Sequence, residues 1–441
     1  MEILIKTKCG EVKGESENEV NIFRGIPFAT ADRFEMPKQY TWDGVFEANG
    51  EIDCPQYGTY LDEAKKKNPF FYEEFRVGAT FEYKESPLTL NIIAPNNGKK
   101  LPVIVFIHGG GFETGTVGEL PYGTSIEYAK RNVILVSLGY RVNVFGFFRG
   151  KNLALHDQIF GINWVKENIE AFGGDKDQII IMGQSAGAMC ITDLFLTQKL
   201  KGVVKGAIMI SGAGLFPKAF GSKTIEEIKP FWDLVRSKCS VDSDEELKNI
   251  EPEKLWNAWF EAKCEYNKAQ VVLPEIDGDI IPDNPHNIFK RGEELDIPIL
   301  FSVTSQDYIA PILFYMGYSW AKGNYKKNKA PVWGYFFDKT PPGNKFKAYH
   351  SADLWYLFGN MDKSWREFKK EDYELSSIMI DYIANFAKNL NPNGQNLQQW
   401  DPISKKQKGL MVFDGVKQRY AYKGEIYKKT LHSFLKDKGP M

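Results

Sequence analysis

The chain has no apolar run long enough to cross a bilayer. Its longest apolar stretches, such as Val103 to Ile107, are strand-sized, whereas a membrane helix needs about 20 such residues. The opening, Met1 to Lys8, is too short and too interrupted for a secretion signal. Asn-x-Ser/Thr acceptors are absent, so nothing marks a glycosylated surface. A charge of one sign is also lacking. The formal net charge is −1, which leaves no electrostatic footprint for nucleic acid or an anionic membrane. Cysteines number five, Cys9, Cys54, Cys190, Cys239 and Cys264. An odd count at wide spacing without a Cys-x-x-Cys pair is expected to be reduced and structural. Unless a leader peptide has been removed, a cytoplasmic protein is expected. No cofactor and no metal is expected, and the oligomeric state, monomer or homo-oligomer, stays open.

What is present points to an α/β enzyme. Apolar residues make up 43% of 441 residues, enough for a large core. Ile3 to Thr7, Glu11 to Glu15 and Glu19 to Phe23 alternate as a small antiparallel meander. Leu88 to Ile93, Val103 to Ile107, Val133 to Leu138, Ile179 to Met182, Ala207 to Ile210 and Ile297 to Val303 are short and almost wholly apolar. Strands buried on both faces of a parallel sheet have this composition. Helical patterns separate them, as in Gly161 to Ala171 and Tyr373 to Leu390. Val332 to Phe337 reads as a further strand. The alternation predicts a mostly parallel central sheet with helices on both faces. Residues 214–267 are charged and helix-patterned, with a capping box predicted at Ser243-x-x-Glu246. They are expected to form a helical excursion or cap within one catalytic domain spanning 1–441.

Gly183-Gln184-Ser185-Ala186-Gly187 follows the apolar run Ile179 to Met182 and precedes helix formers. A Gly-x-Ser-x-Gly elbow requires this strand–turn–helix setting. It presents a serine at a helix amino end, where N–H groups favour negative charge. The run Val103 to Ile107 leads into His108-Gly109-Gly110-Gly111-Phe112. The glycines are unfavourable in chain entropy and make sense where backbone must approach a ligand. Their spacing fits neither Gly-x-Gly-x-x-Gly nor a P-loop. Gly110, Gly111 and Ala186 are therefore the expected oxyanion-hole donors, each able to contribute ~3–4 kcal/mol in the transition state. His108 is expected to be structural.

With Ser185 as nucleophile, the base must follow it in this fold. Only His286, His350 and His432 do. His350, in a short loop before an aromatic helix pattern, is the candidate. Asp307, just past the run Ile297 to Val303, is the acid best placed between them. Asp353 is a second candidate, better suited to supporting the loop.

Taken together these segments resemble the type-B carboxylesterases, the cholinesterase-like branch of the α/β-hydrolase fold, in a bacterial-type form. The resemblance rests on Gly10-x-Val12-x-Gly14, Phe23 to Ala29, Leu90-Asn91-Ile92, the His108 to Phe112 segment, Tyr140-Arg141, Asp157-Gln158, Trp164 to Ile169 and Phe172 to Asp175. It implies Ser185, His350 and an acid at position 307, with Asp where the family commonly has Glu. Tyr308-Ile309 stand where the family has Gly. Gln184 replaces the usual Glu before the serine. Ser86-Pro87 stands where the family often has Asp-Cys, which implies that a family disulfide is absent.

The expected activity is hydrolysis of small carboxylic esters through an acyl-enzyme, with short-chain or aryl esters, including hydroxycinnamoyl (feruloyl) ones, favoured. Phe112, Gln184, Phe314, Tyr315 and Trp355 are the expected pocket residues, with Tyr318 a further candidate. The alternative is a non-catalytic binding protein of the same fold. Partners other than the ester, nucleic acid or membrane among them, are not expected.

Overall fold

The computed structural model describes residues 1–50, 57–58, 65–66, 68–218, 221–266, 274–343 and 346–436. Cys54 and Asn267 lie outside the described residues. The strands are β1 (Glu2–Lys6), β2 (Glu11–Glu17), β3 (Val20–Pro27), β4 (Thr89–Pro95), β5 (Leu101–Ile107), β6 (Ile134–Leu138), β7 (Gly174–Gln184), β8 (Val204–Ile210), β9 (Ile299–Thr304), β10 (Val332–Phe337), β11 (Gly409–Phe413) and β12 (Arg419–Tyr422). They form one sheet in the order β1-β2-β3-β4-β6-β5-β7-β8-β9-β10-β11-β12, with Val45–Glu47 pairing off β2. From β6 to β11 every neighbour is parallel. The flanks are antiparallel.

The sheet is mixed for a reason visible at β4. Its five central residues are buried, yet it runs antiparallel to both β3 and β6. An apolar run reports cover on both faces, and strand direction is decided by the connections. That cover divides the core in two. Val103, Val105 and Ile107 of β5 enter one apolar cluster, while Ile104 and Phe106 enter the other. Ile179 and Ile181 of β7 oppose Ile180 and Met182 in the same way. The period-2 alternation of side chains feeds both layers.

The helices that matter for the site are α1 (Pro69–Phe75), α2 (Leu153–Asn168), α3 (Ala186–Leu196), α4 (Ile225–Cys239), α5 (Pro252–Tyr266), α6 (Pro285–Arg291), α7 (Ala310–Lys326), α8 (Leu354–Phe358), α9 (Lys370–Asn389) and α10 (Lys423–Lys436). The charged excursion supplies α4 and α5. Thr224 and Glu227 form a capping box on α4. Ser243 and Glu246 do exchange hydrogen bonds, but they head a single 3₁₀ turn, Glu246–Asn249. Arg141 and Asp157, both motif residues, meet as a buried bidentate pair at 2.8 and 2.7 Å that ties α2 to the loop after β6. Cys9, Cys190, Cys239 and Cys264 are free, and Cys264 alone of these is exposed. No helix among the described residues is long and apolar enough to cross a membrane.

A second buried ion pair links α1 to the far end of the chain. The side chains of Glu74 and Arg366 are both 0% exposed and lie 2.6 Å apart. Glu74 also accepts from Trp355 Nε1 at 2.9 Å, Trp365 Nε1 at 3.0 Å and the Tyr349 hydroxyl. Four side chains thus share one desolvated carboxylate. Removing one partner of such a pair leaves a charge without compensation, which costs about 3–5 kcal/mol. Arg366→Met is expected to lower the unfolding free energy by that amount in a urea titration at pH 7. A loss under about 1 kcal/mol would show that this knot does not hold α1 in place.

Candidate active site

The elbow after β7 is built from backbone crowding. Ser185 sits at φ 54° and ψ −123°, a conformation that costs an L-residue about 1–3 kcal/mol. Its amide donates to Ile210 O at 2.8 Å, tying the turn to the tip of β8. A Cβ on Gly183 would lie 2.6 Å from the Gly187 carbonyl, and one on Gly187 would lie 2.2 Å from Ile107 O. Only glycine permits this approach of α3 to the end of β5. The hydroxyl of Ser185 is consequently held at the amino end of α3 and at the carboxyl ends of the central strands, where ligands bind in open α/β sheets.

His350 and Asp307 reach it from two neighbouring loops. Ser305 N donates to Phe337 O at 2.9 Å, and Gln306 N donates to Ala348 O at 3.0 Å. Gln306 and Tyr349 form an isolated parallel bridge. The pairing of β9 with β10 therefore continues into both loops and sets Asp307 beside His350. His350 Nδ1 lies 2.8 Å from Asp307 Oδ2, and His350 Nε2 lies 2.9 Å from Ser185 Oγ. Thr304 Oγ1 also donates to Asp307 Oδ2, at 3.2 Å. A proton on Nδ1 given to Asp307 leaves the Nε2 lone pair facing the serine. Such an array can remove a proton from the hydroxyl and return it.

Burial disfavours the imidazolium of His350, but the charge and hydrogen bond of Asp307 outweigh it, so its pKa is raised above the ordinary value. Asp353, the other acidic candidate, does not contact the ring. It accepts from Tyr335 Oη at 2.8 Å and Ser302 Oγ at 3.4 Å, and burial pushes it up to about 6. Gln184 Nε2 donates to Ser351 Oγ at 2.7 Å and lies 3.2 Å from His350 Nε2. His108 is buried, stacks on Tyr140 with centroids 4.4 Å apart, and has its pKa lowered by burial. His286 starts α6, with Nε2 2.8 Å from Phe216 O, and His432 lies on α10.

The Ser185 hydroxyl opens into a cavity of about 450 Å³, which Gly110 and Gly111 also line. Gly110 has φ +111°, and a Cβ there would meet Thr114 O at 2.1 Å. Among the described residues the amides of Gly110, Gly111 and Ala186 have no acceptor. Three unpaired donors beside one serine suit an oxygen that gains negative charge. No group of described His, Cys, Asp or Glu side chains could hold a metal ion.

The expected pocket aromatics need correction. Gln184 lines the cavity, but Phe112 borders a separate small cleft and packs edge-on against Phe147. On α7, Leu313 faces the cavity, while Phe314 turns away onto Tyr318 and Tyr315 is 61% exposed. Consecutive helix residues point about 100° apart, so only one of this run reaches the site. Trp355 is 1% exposed and bonded to Glu74. The walls come instead from Phe71, Tyr72 and Phe75 of α1, Met189 of α3, and Tyr308. Ser211 also lines it, with no partner for its Oγ among the described residues. The i, i+4 spacing of Phe71 and Phe75 was the available signal for the α1 wall.

These electrostatics can be checked by NMR titration of the His350 ring. Asp307→Asn removes the charge that favours the imidazolium, so the ring pKa should fall. Gln184→Glu places a carboxylate near Nε2, so it should rise. Shifts of the same sign in both variants would contradict this arrangement.

Comparison with known proteins agrees with the geometry. The model of the Carboxylesterase family matches residues 2–317 and 305–431. The para-nitrobenzyl esterase of Bacillus subtilis is 28% identical over 93% of this chain and 94% of its own length. The bile salt-activated lipase of Bos taurus is 28% identical over 91% of this chain and 82% of its own. A solved thermophilic PNB esterase superposes with a TM-score of 0.82 at 26% identity, covering 97% of this chain and 99% of its own. With matches of this extent and an α/β-hydrolase architecture, the chain belongs to the carboxylesterase family and is a carboxylic ester hydrolase.

Proposed function

We propose that Ser185 is the nucleophile of a two-step serine esterase, with His350 as general base and Asp307 as the acid that orients it. The observation that carries this reading is the unbroken hydrogen-bonded chain Ser185–His350–Asp307 at the wall of an open cavity. Ser185 Oγ attacks the ester carbonyl as His350 Nε2 takes its proton. The carbonyl oxygen becomes an oxyanion held by the amides of Gly110, Gly111 and Ala186. Collapse expels the alcohol, which takes the proton from His350. Water, activated by the same ring, then releases the acid and regenerates Ser185. Asp307 accepts the hydrogen bond of the Nδ1 proton and keeps it in place. The aromatic wall favours short-chain and aryl esters, feruloyl ones included. On this reading the chain is one catalytic domain working on small esters in the cytoplasm.

The test is a panel of p-nitrophenyl acetate, butyrate and decanoate with methyl ferulate. Ser185→Ala should lose about 10³-fold or more in kcat, with the folded state checked by circular dichroism. A folded wild type no faster than the variant on every ester would sink the proposal and favour a binding protein. The pH profile carries a second expectation. Only neutral His350 accepts the proton, and its pKa is raised. Activity should therefore climb with pH through a limb displaced above the usual imidazole value, and a limb below that value would count against His350.

A further inference from the structure

One charged pair in the cavity has no part in the hydrolytic chain. Arg76, which caps α1, lines the cavity together with Glu119. Its Nε and Nη2 donate to Glu119 Oε1 at 3.2 and 2.9 Å. Glu119 Oε2 is held by the Tyr122 hydroxyl at 2.9 Å. The pair is largely desolvated, with side chains 12% and 9% exposed. Nη1 of Arg76 makes no hydrogen bond among the described residues. A guanidinium held on one side by a carboxylate, with its Nη1 open to the cavity, can donate to a ligand acceptor there.

The approach to this donor is aromatic. The Tyr308 ring lies 5.1 Å from the His350 ring, 6.3 Å from that of Phe71, and Phe71 stacks on Phe75 at 5.8 Å. Arg76 follows Phe75 directly. These rings and the guanidinium line the same cavity. The cavity of about 450 Å³ beside Ser185 has room for the alcohol portion of an aryl or benzyl ester. Glu119 already neutralises Arg76 and would repel a second carboxylate, so the fitting acceptor is uncharged.

We propose that Arg76 is a specificity-determining residue that donates from Nη1 to an uncharged acceptor, such as a second ester carbonyl, at the far end of an aryl or benzyl alcohol group. This rests on the cavity being the ester site proposed above. Glu119, braced by the Tyr122 hydroxyl, is the positioning residue that holds the guanidinium. The preferred substrates are diesters and ring-acylated aryl esters carrying a short acyl group.

A matched pair of substrates tests this. Benzyl acetate and 4-(methoxycarbonyl)benzyl acetate differ at the distal acceptor, and the methylene keeps their leaving alcohols similar. A hydrogen bond from a charged donor is worth roughly 10- to 100-fold, so wild type should prefer the diester by roughly 10-fold or more in kcat/KM for acetate release. In the double variant Arg76→Met/Glu119→Gln, which strands no carboxylate, the ratio should collapse to about 1. Glu119→Gln alone should keep the ratio. It should also speed hydrolysis of the free acid, 4-carboxybenzyl acetate, relative to benzyl acetate, because the repelling charge is gone. A wild-type ratio near 1, or a double variant that keeps the preference, overturns the assignment to Arg76 while the esterase reading stands. If wild type hydrolyses neither acetate, the reading of the cavity fails and this inference falls with it.

Discussion

The site depends on backbone packed against backbone at the carboxyl ends of three strands. The first turn of α3 passes so close to the end of β5 that Gly187 has no room for a Cβ beside Ile107 O. The amide of Ser185 is tied to the last residue of β8. These contacts hold Ser185 in a conformation that an isolated chain would avoid. Because β5 and β7 are paired in register up to Ile107 and Gly183, the glycine loop and the serine cannot move independently. The donors and the hydroxyl face the same space as a result of sheet geometry.

The charge relation is governed by a second use of strand pairing. Asp307 and His350 are far apart in sequence, but parallel β9 and β10 end side by side and their loops keep pairing. Asp307 is then the carboxylate that touches the ring. Asp353, a few residues beyond the histidine, is turned onto Tyr335 and Ser302. Its burial holds its pKa up to about 6, which limits the negative charge it places behind His350 in mildly acid solution. One carboxylate is bonded and the other is tuned by environment.

The cavity wall obeys a different constraint. Helix α1 is short and could not hold a fixed position by its own propensity. It is fixed through Glu74, whose carboxylate gathers Arg366, Trp355, Trp365 and Tyr349. Tyr349 precedes His350, so the same knot that positions the aromatic wall also seats the His350 loop. Trp355 contributes to the site through this knot and not through contact with the cavity.

Local sequence carried the chemistry. Ser185 and its glycines, the triple glycine after β5 and the scarcity of histidines after the serine singled out the proposed nucleophile, donors and base, because each role demands a residue type in a local setting. The apolar runs located most central strands for the same reason, since burial on both faces leaves a local signature. They could not give the direction of β4, which is set by connections distant in sequence. Asp307 and Asp353 could be separated only by the tertiary structure, because strand pairing decides which carboxylate meets the ring. The pocket was the least legible part. Whether Leu313 or Phe314 faces the cavity is a matter of helix phase against the sheet, and the placement of Phe71, Phe75 and Arg76 depends on an ion pair between residues nearly three hundred positions apart. Composition determines that such aromatics will be buried; only packing determines which of them a substrate can touch.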